Sequence, residues 1–159
     1  MEIRLAENGD LSGWVRLVEP MRHLFPGLET PESMEGYARD IAGAISRQEA
    51  LCAVENGTIC GVLAFSRAEN ELAFLAVSAQ HRRQGIARKL AERMFRELDP
   101  ARPVKLITYR AGVPEGEAAR SLYQRLGFCP GRLVEVDGSP AQEFLRPAEI
   151  PGSERSEAE

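Results

Sequence analysis

Leu75-Ala76-Val77-Ser78-Ala79-Gln80-His81-Arg82-Arg83-Gln84-Gly85-Ile86-Ala87-Arg88-Lys89-Leu90 runs from a strand through a basic loop into the start of a helix, and its reading decides the fold. Small residues at Gly85 and Ala87 let the backbone come close to a ligand, and a fresh helix N-terminus turns unpaired N–H groups into that space. Such a place holds phosphate.

Working outward, Glu71 to Ser78 reads as a strand, Gly85 to Leu98 as an amphipathic helix ended by Asp99-Pro100, and Val104 to Tyr109 as a further strand. A right-handed crossover of that length makes the two strands parallel and puts the phosphate loop at the carboxyl end of the first, where open sheets bind ligands. Upstream, Ile3 to Leu5 predicts a short strand, and Asp10 is placed to cap a helix carrying Leu11, Trp14, Val15 and Val18. Glu19 to Thr30, broken by Pro20, Pro26 and Gly27, reads as a loop, and Thr30-Pro31 opens a second helix with Met34, Tyr37, Ile41 and Ile45 on one face. Ala50 to Glu55 and Thr58 to Ser66 flank an Asn56-Gly57 hairpin turn. Downstream come a helix over Glu117 to Leu126 stopped by Gly127, and a closing hairpin of Phe128 to Val136 and Ala141 to Leu145 around Asp137-Gly138.

At 159 residues, 43% hydrophobic and 28% charged, the chain suits one domain, expected over residues 1–146, with a disordered tail over 147–159 too poor in apolar residues to pack. A net charge of -4 argues against a broad nucleic-acid-binding face. No apolar run reaches bilayer length and no secretory leader opens the chain, so the expectation is a cytoplasmic protein without membrane partners.

Cys52, Cys60 and Cys129 show no paired spacing, which suggests neither a disulfide framework nor a zinc site. If Asn56-Gly57 forms a two-residue turn, Ala53 falls opposite Cys60 and Cys52 opposite Gly61, on opposite faces of the sheet. Neither His23 nor His81 has a visible claim on a sulfur, so catalysis through a cysteine is disfavoured. His81, beside Arg82 and Arg83, reads as an exposed loop residue.

The loop Arg82-Arg83-Gln84-Gly85-Ile86-Ala87 lacks the Gly-Lys-Ser/Thr of a Walker motif and the third glycine of the dinucleotide fingerprint. A second unusual segment, Ala119-Arg120-Ser121-Leu122-Tyr123-Gln124-Arg125-Leu126-Gly127-Phe128, follows about forty residues later. Together the two segments resemble the GCN5-related N-acetyltransferase (GNAT) superfamily, over roughly Ile3 to Leu145. The resemblance implies an α/β domain of the α+β type: a central mixed, mostly antiparallel sheet of about seven strands, with a splayed parallel pair (strands 4 and 5) and helices on both faces. It implies acetyl-coenzyme A as co-substrate, its pyrophosphate cradled by Arg82, Arg83, Gln84, Gly85, Ile86, Ala87 and Arg88, and its thioester aligned by the backbone of Leu75, Ala76 and Val77. Ala119, Tyr123, Gly127 and Phe128 match the family's second motif. Many relatives place an asparagine that helps hold the pantetheine where this chain has Gly116.

Acetyl transfer from a thioester to an amine needs an uncharged nucleophile, donors for the oxygen that gains charge, and an acid for the departing thiolate; no metal is required. Tyr123, with an ordinary pKa of about 10 against about 8.5 for a thiol, is the candidate general acid. An alkylamine of pKa about 10 is neutral in only about one molecule per thousand at pH 7, so a base must take its proton. Glu71 is the candidate, on the strand parity of Ala73, Leu75 and Val77, with an ordered water chain as the alternative.

Acceptor specificity is expected from Glu19 to Thr30, with Met21, His23, Leu24 and Phe25 as a partly apolar wall, and from the hairpin tip at Asp137 to Pro140. Arg22 or Arg110 is a candidate for meeting an acceptor carboxylate. The sequence thus predicts direct transfer of acetyl to a primary amine of a small molecule. Transfer to protein N-termini or lysines, and a coenzyme-A-binding sensor without turnover, remain alternatives, and a homodimer through the closing strands is left open.

Overall fold

The computed structural model describes residues 1–149. Seven strands form one sheet: β1 (Glu2–Leu5), β2 (Ala50–Glu55), β3 (Thr58–Ser66), β4 (Glu71–Val77), β5 (Val104–Thr108), β6 (Cys129–Val136) and β7 (Ser139–Arg146), in the order β1-β2-β3-β4-β5-β7-β6. Four α-helices accompany them: α1 (Leu11–Val18), α2 (Pro31–Ser46), α3 (Ile86–Glu97) and α4 (Glu117–Arg125). β4 and β5 pair in parallel, with Glu71 opposite Lys105, as the crossover requires. Among the described residues no helix is long and apolar enough to cross a membrane.

By packing, the chain divides into two compact units, Met1–Phe65 with Ala73–Met94, and Ser66–Leu72 with Phe95 onward. In the first, α1 and α2 cover one sheet face, burying Trp14, Val18, Met34, Ile41 and Ile45 against Cys52, Val62, Ala64 and Ala76. Thr30 caps α2 by accepting from Ser33 N, whose hydroxyl accepts from Thr30 N in return. Asp10 does not cap α1. Its carboxylate is spent on Arg4, at 2.7 and 3.1 Å, and on Glu7 N–H, and the Arg4 guanidinium holds it below the ordinary carboxylate range. Glu19–Leu24, expected as loop, winds into kinked 3-10 turns that bury Met21 in this core.

The β2–β3 hairpin turns through Asn56 and Gly57, both left-handed (φ 53° and 76°), as a two-residue primed turn demands. Its register departs from expectation: Ala53 faces Gly61 and Cys52 faces Val62, because Cys60 is an extra, bulged residue in β3. Cys52 packs with Trp14 and Val62, while the Cys60 thiol turns to the Ala53 carbonyl at 3.3 Å.

In the second unit α4 lies on the β5–β7 face, with Tyr123 edge-on to Phe144. Asn70, fully buried and left-handed (φ 51°), ties the β4 start to the turn before β5: its amide donates to the carbonyls of Asp99, Arg102 and Pro103 and accepts from Asp99 N. β6 is the edge strand, and it bulges between Pro130 and Leu133. Of the expected tail, Glu149 N–H bonds the Pro100 carbonyl at 2.9 Å, and residues 150–159 lie outside the described residues.

Candidate active site

The loop between β4 and α3 belongs to the first unit. β4 ends where Ser78 N–H pairs with the carbonyl of the bulged Cys60, and one 3-10 turn (Ala79–His81) leads into the loop. His81 is half-buried, not exposed, because its Nδ1 lies 2.6 Å from Ser78 Oγ, which fixes that turn. Arg83 and Gly85 both adopt left-handed backbone, at φ 64° and 77°. For Arg83 this is strained, and such strain collects at ligand clamps. At Gly85 a Cβ would meet nothing within 4 Å, so the glycine serves its φ and leaves the space before it open.

The α3 ladder begins with Lys89 N–H to Gly85 C=O, which leaves the N–H groups of Ile86, Ala87 and Arg88 without intrahelical acceptors. Arg82, Arg83, Gln84 and Arg88 are exposed around them. Backbone donors, a helix N-terminus and exposed cations on one open loop fit a diphosphate. Leu75 and Ala76 are buried and Val77 half-buried on β4, so these side chains anchor the strand and leave its main chain as the usable surface.

One positioning residue escaped the sequence reading. A Cβ at Gly61 would stand 2.7 Å from Ile86 Cγ2 and 3.1 Å from Leu90 Cδ1, so α3 reaches its place on β3 only because Gly61 has no side chain. A lone glycine inside a strand was the available signal.

Tyr123 belongs to the second unit, and its motif has a physical reading. Gly127 (φ 98°) ends α4 in a Schellman arrangement: Phe128 N–H bonds the Tyr123 carbonyl at 3.0 Å and Gly127 N–H bonds that of Gln124 at 3.1 Å. The accompanying apolar contact is Phe128 edge-on to the Tyr123 ring, centroids 6.1 Å apart. Glycine and phenylalanine after the tyrosine thus fix its backbone and give its ring one flanking contact. The residue is 9% exposed, and burial pushes the phenol pKa up to about 12. That revises the near-match with a thiol: proton donation to a fully solvated thiolate would be uphill by about 5 kcal/mol at about 1.4 kcal/mol per pKa unit. A thiolate leaving into the same dry surroundings is destabilised by the same desolvation, which narrows the gap.

Glu71, first residue of β4, is half-buried. Desolvation raises its pKa, Lys105 partly opposes, and Glu69 and Glu143 add to the rise. Lys105 is engaged by Glu69 at 2.9 Å, which leaves the Glu71 carboxylate without a direct ion pair among the described residues. A carboxyl poised above its ordinary range suits a general base.

Gly116 accounts for the missing asparagine. A Cβ there would collide with Tyr109 Cβ and Cγ, so the Tyr109 side chain fills the room any side chain at 116 would need.

Other candidates are spent on structure. Arg110 donates to the carbonyls of Ala141 (3.0 Å) and Val134 (2.8 Å), which takes it from acceptor binding to bracing β6 and β7. The Arg22 guanidinium lies 3.9 Å from the Glu19 carboxylate, one helical turn away. Of the expected apolar wall, Met21 is core and Phe25 packs on Phe74 of β4, centroids 4.5 Å apart. Burial pushes the Cys52 thiol up to about 12 and raises that of Cys60, the reverse of what a nucleophilic cysteine needs.

Comparison with known proteins bears on the family and the fold. A family model described as "Acetyltransferase (GNAT) domain" matches residues 46–130. Among solved structures, the chain is similar to a PaiA N-acetyltransferase from Thermoplasma acidophilum in complex with coenzyme A (21% identity, 92% of this chain and 98% of that one, TM-score 0.67). It is also similar to the ribosomal-protein-S18-alanine N-acetyltransferase from Escherichia coli (21%, 95% and 96%, 0.67) and to an N-acetyltransferase from Staphylococcus aureus Mu50 (16%, 91% and 100%, 0.73). No curated protein sequence matches the chain. With the cradle loop, the parallel β4–β5 pair and the locked tyrosine all lying within or beside the matched segment, the chain belongs to the GNAT acetyltransferase family.

Proposed function

We propose that this protein transfers the acetyl group of acetyl-coenzyme A directly to a primary amine of a small molecule, in the cytoplasm. The observation that carries the reading is the β4–α3 loop, where the N–H groups of Ile86, Ala87 and Arg88 lack helical partners beside an open, left-handed Gly85. In this reading Arg82 to Arg88 hold the pyrophosphate, and the main chain of Leu75 to Val77 aligns the thioester. The amine, freed of its proton by Glu71 or by water in its place, attacks the thioester carbon. The tetrahedral intermediate loses the remaining ammonium proton to solvent and collapses, the C–S bond breaks, and Tyr123 delivers a proton to the sulfur and regains one from water.

A protein acceptor is the second reading, and its support is the likeness to a structure whose name specifies a ribosomal-protein alanine. Calorimetry with acetyl-coenzyme A, paired with thiol release over a panel of small amines and of peptides with free N-terminal alanine, decides between them. Release with small amines supports the proposal. Release with peptides alone supports the second reading, and tight binding without release on any acceptor overturns both in favour of a sensor.

A further inference from the structure

Arg120 stands one helical turn before Tyr123 on α4, and its guanidinium is used three ways at once. One terminal nitrogen donates to the Tyr109 carbonyl at the end of β5 (2.8 Å) and to Gln142 Oε1 on β7 (2.7 Å). The group's carbon lies 4.9 Å from the centre of the Phe144 ring, the ring that Tyr123 meets edge-on at 6.4 Å. Gln142 passes the tie on, its amide donating to the Gly131 carbonyl on β6 at 2.8 Å. Three strands are thus fastened to one turn of α4 through a single half-buried cation. The Phe144 ring touches both that cation and the Tyr123 ring, so the guanidinium bears on how both rings can tilt.

Phe128 holds Tyr123 differently, by its own ring contact and by the hydrogen bond between its N–H and the Tyr123 carbonyl. The carbonyl bond sets the helix end but not the ring's rotation about its side-chain bonds. Phe144, steadied by Arg120, supplies the second wall. A short polar residue at 120 would reach neither the Tyr109 carbonyl nor Gln142. A lysine keeps the charge but not the planar fork that serves two acceptors and a ring together.

We infer that Arg120 is the positioning residue for Tyr123: through Phe144, Tyr109 and Gln142 it holds the phenol in the orientation from which the proton is delivered. The inference rests on Tyr123 being the general acid, and its test separates the two claims. Thiol release is measured, with the amine that gives the fastest turnover, for the parent, Arg120→Met, Tyr123→Phe and the double variant. Positioning predicts that Arg120→Met lowers kcat about tenfold with little change in the KM for acetyl-coenzyme A, since misplacement of a reacting group costs rate more than binding. It predicts no further loss from Arg120→Met once Tyr123 is phenylalanine, and partial recovery in Arg120→Lys. Equal losses in both backgrounds, or no loss in kcat, overturn the inference while leaving Tyr123 as the acid. An unchanged kcat in Tyr123→Phe overturns both.

Gln142→Met carries the same comparison with a milder perturbation of Arg120, because it removes one acceptor and the tie to Gly131 but leaves the ring contact and the Tyr109 bond. A readout independent of turnover comes from ring-carbon NMR of the protein's three tyrosines, Tyr37, Tyr109 and Tyr123. The Tyr123 signal should broaden or shift in Arg120→Met while that of Tyr37 stays put, and an unmoved Tyr123 signal refutes the inference.

Discussion

Gly61→Ala tests whether the cradle is built by a close approach of helix to strand. The new methyl would stand 2.7 Å from Ile86 Cγ2, while ordinary contact begins at 3.4 Å, so the helix start must retreat by at least 3.4 − 2.7 = 0.7 Å or the strand must yield by as much. Overpacking of this kind costs about 2 kcal/mol, which in a chain of this size lowers Tm by about 4–8 °C. The ligand should feel the same retreat. An amide that donates to a phosphate oxygen at about 2.9 Å would stand near 3.6 Å, beyond useful range, and each charge-assisted bond lost is worth about 1.5–3 kcal/mol, or about ten- to a hundredfold in Kd. Calorimetric titration with coenzyme A measures the second effect and thermal unfolding the first. Adding Ile86→Ala removes the clashing methyl, so affinity should recover in part while the cavity keeps Tm low. Were Gly61→Ala to lower Tm with coenzyme A affinity unchanged, the argument that β3 sets the cradle through Ile86 would be refuted.

Gly85→Ala forces a side chain to φ 77°, a cost of about 1–2 kcal/mol, and intrudes on the open space; coenzyme A affinity, by calorimetry, should fall by more than the Tm change implies. Tyr123→Phe should cut kcat about a hundredfold with KM for acetyl-coenzyme A nearly constant, in a thiol-release assay. Because the phenol titrates near pH 12, the parent should show no alkaline decline from this group up to pH ~10, two units below that value. The raised pKa of Glu71 predicts an acid limb in kcat/KM lying above the ordinary carboxylate value near 4.5, absent in Glu71→Gln. The same shift has a stability sign. A carboxyl whose folded pKa is raised contributes stability that is present below pH 4.5 and lost as pH rises through the folded value, so Glu71→Gln should raise Tm at pH 7 and not at pH 4. Gly116→Ala should cost about 3 kcal/mol or more, and combining it with Tyr109→Gly should cost less than the sum of the two, by denaturant unfolding.

Strand and helix types were readable because each carried local chemistry: Asn56-Gly57 and Asp137-Gly138 turns with both residues left-handed, the Thr30-Pro31 helix start, and Gly127 as a stop. The left-handed Gly85 and the helix start after it were readable for the same reason, since φ and helix polarity are properties of adjacent residues. What stayed hidden depends on partners distant in the chain. The bulge at Cys60 shifts the hairpin by one residue without any mark in composition. Asp10 fits a helix cap until Arg4 claims it, and Arg110 looks free until two strand carbonyls come within reach. The glycine at 116 reads as a loss until the Tyr109 ring is seen to fill its place.

The irregular start of β6 governs how this sheet meets the outside. A neighbouring strand adding to that border would find Pro130 without an amide hydrogen and a kinked backbone up to Leu133, leaving only Leu133 to Val136 as a straight rail. Runaway stacking of one copy's border on the next is thereby discouraged, even though Leu133 is 61% and Val136 44% exposed there. Straightening the rail, by replacing Pro130 and deleting one bulged residue, would convert a guarded border into an adhesive one, visible as growth of large species in light scattering.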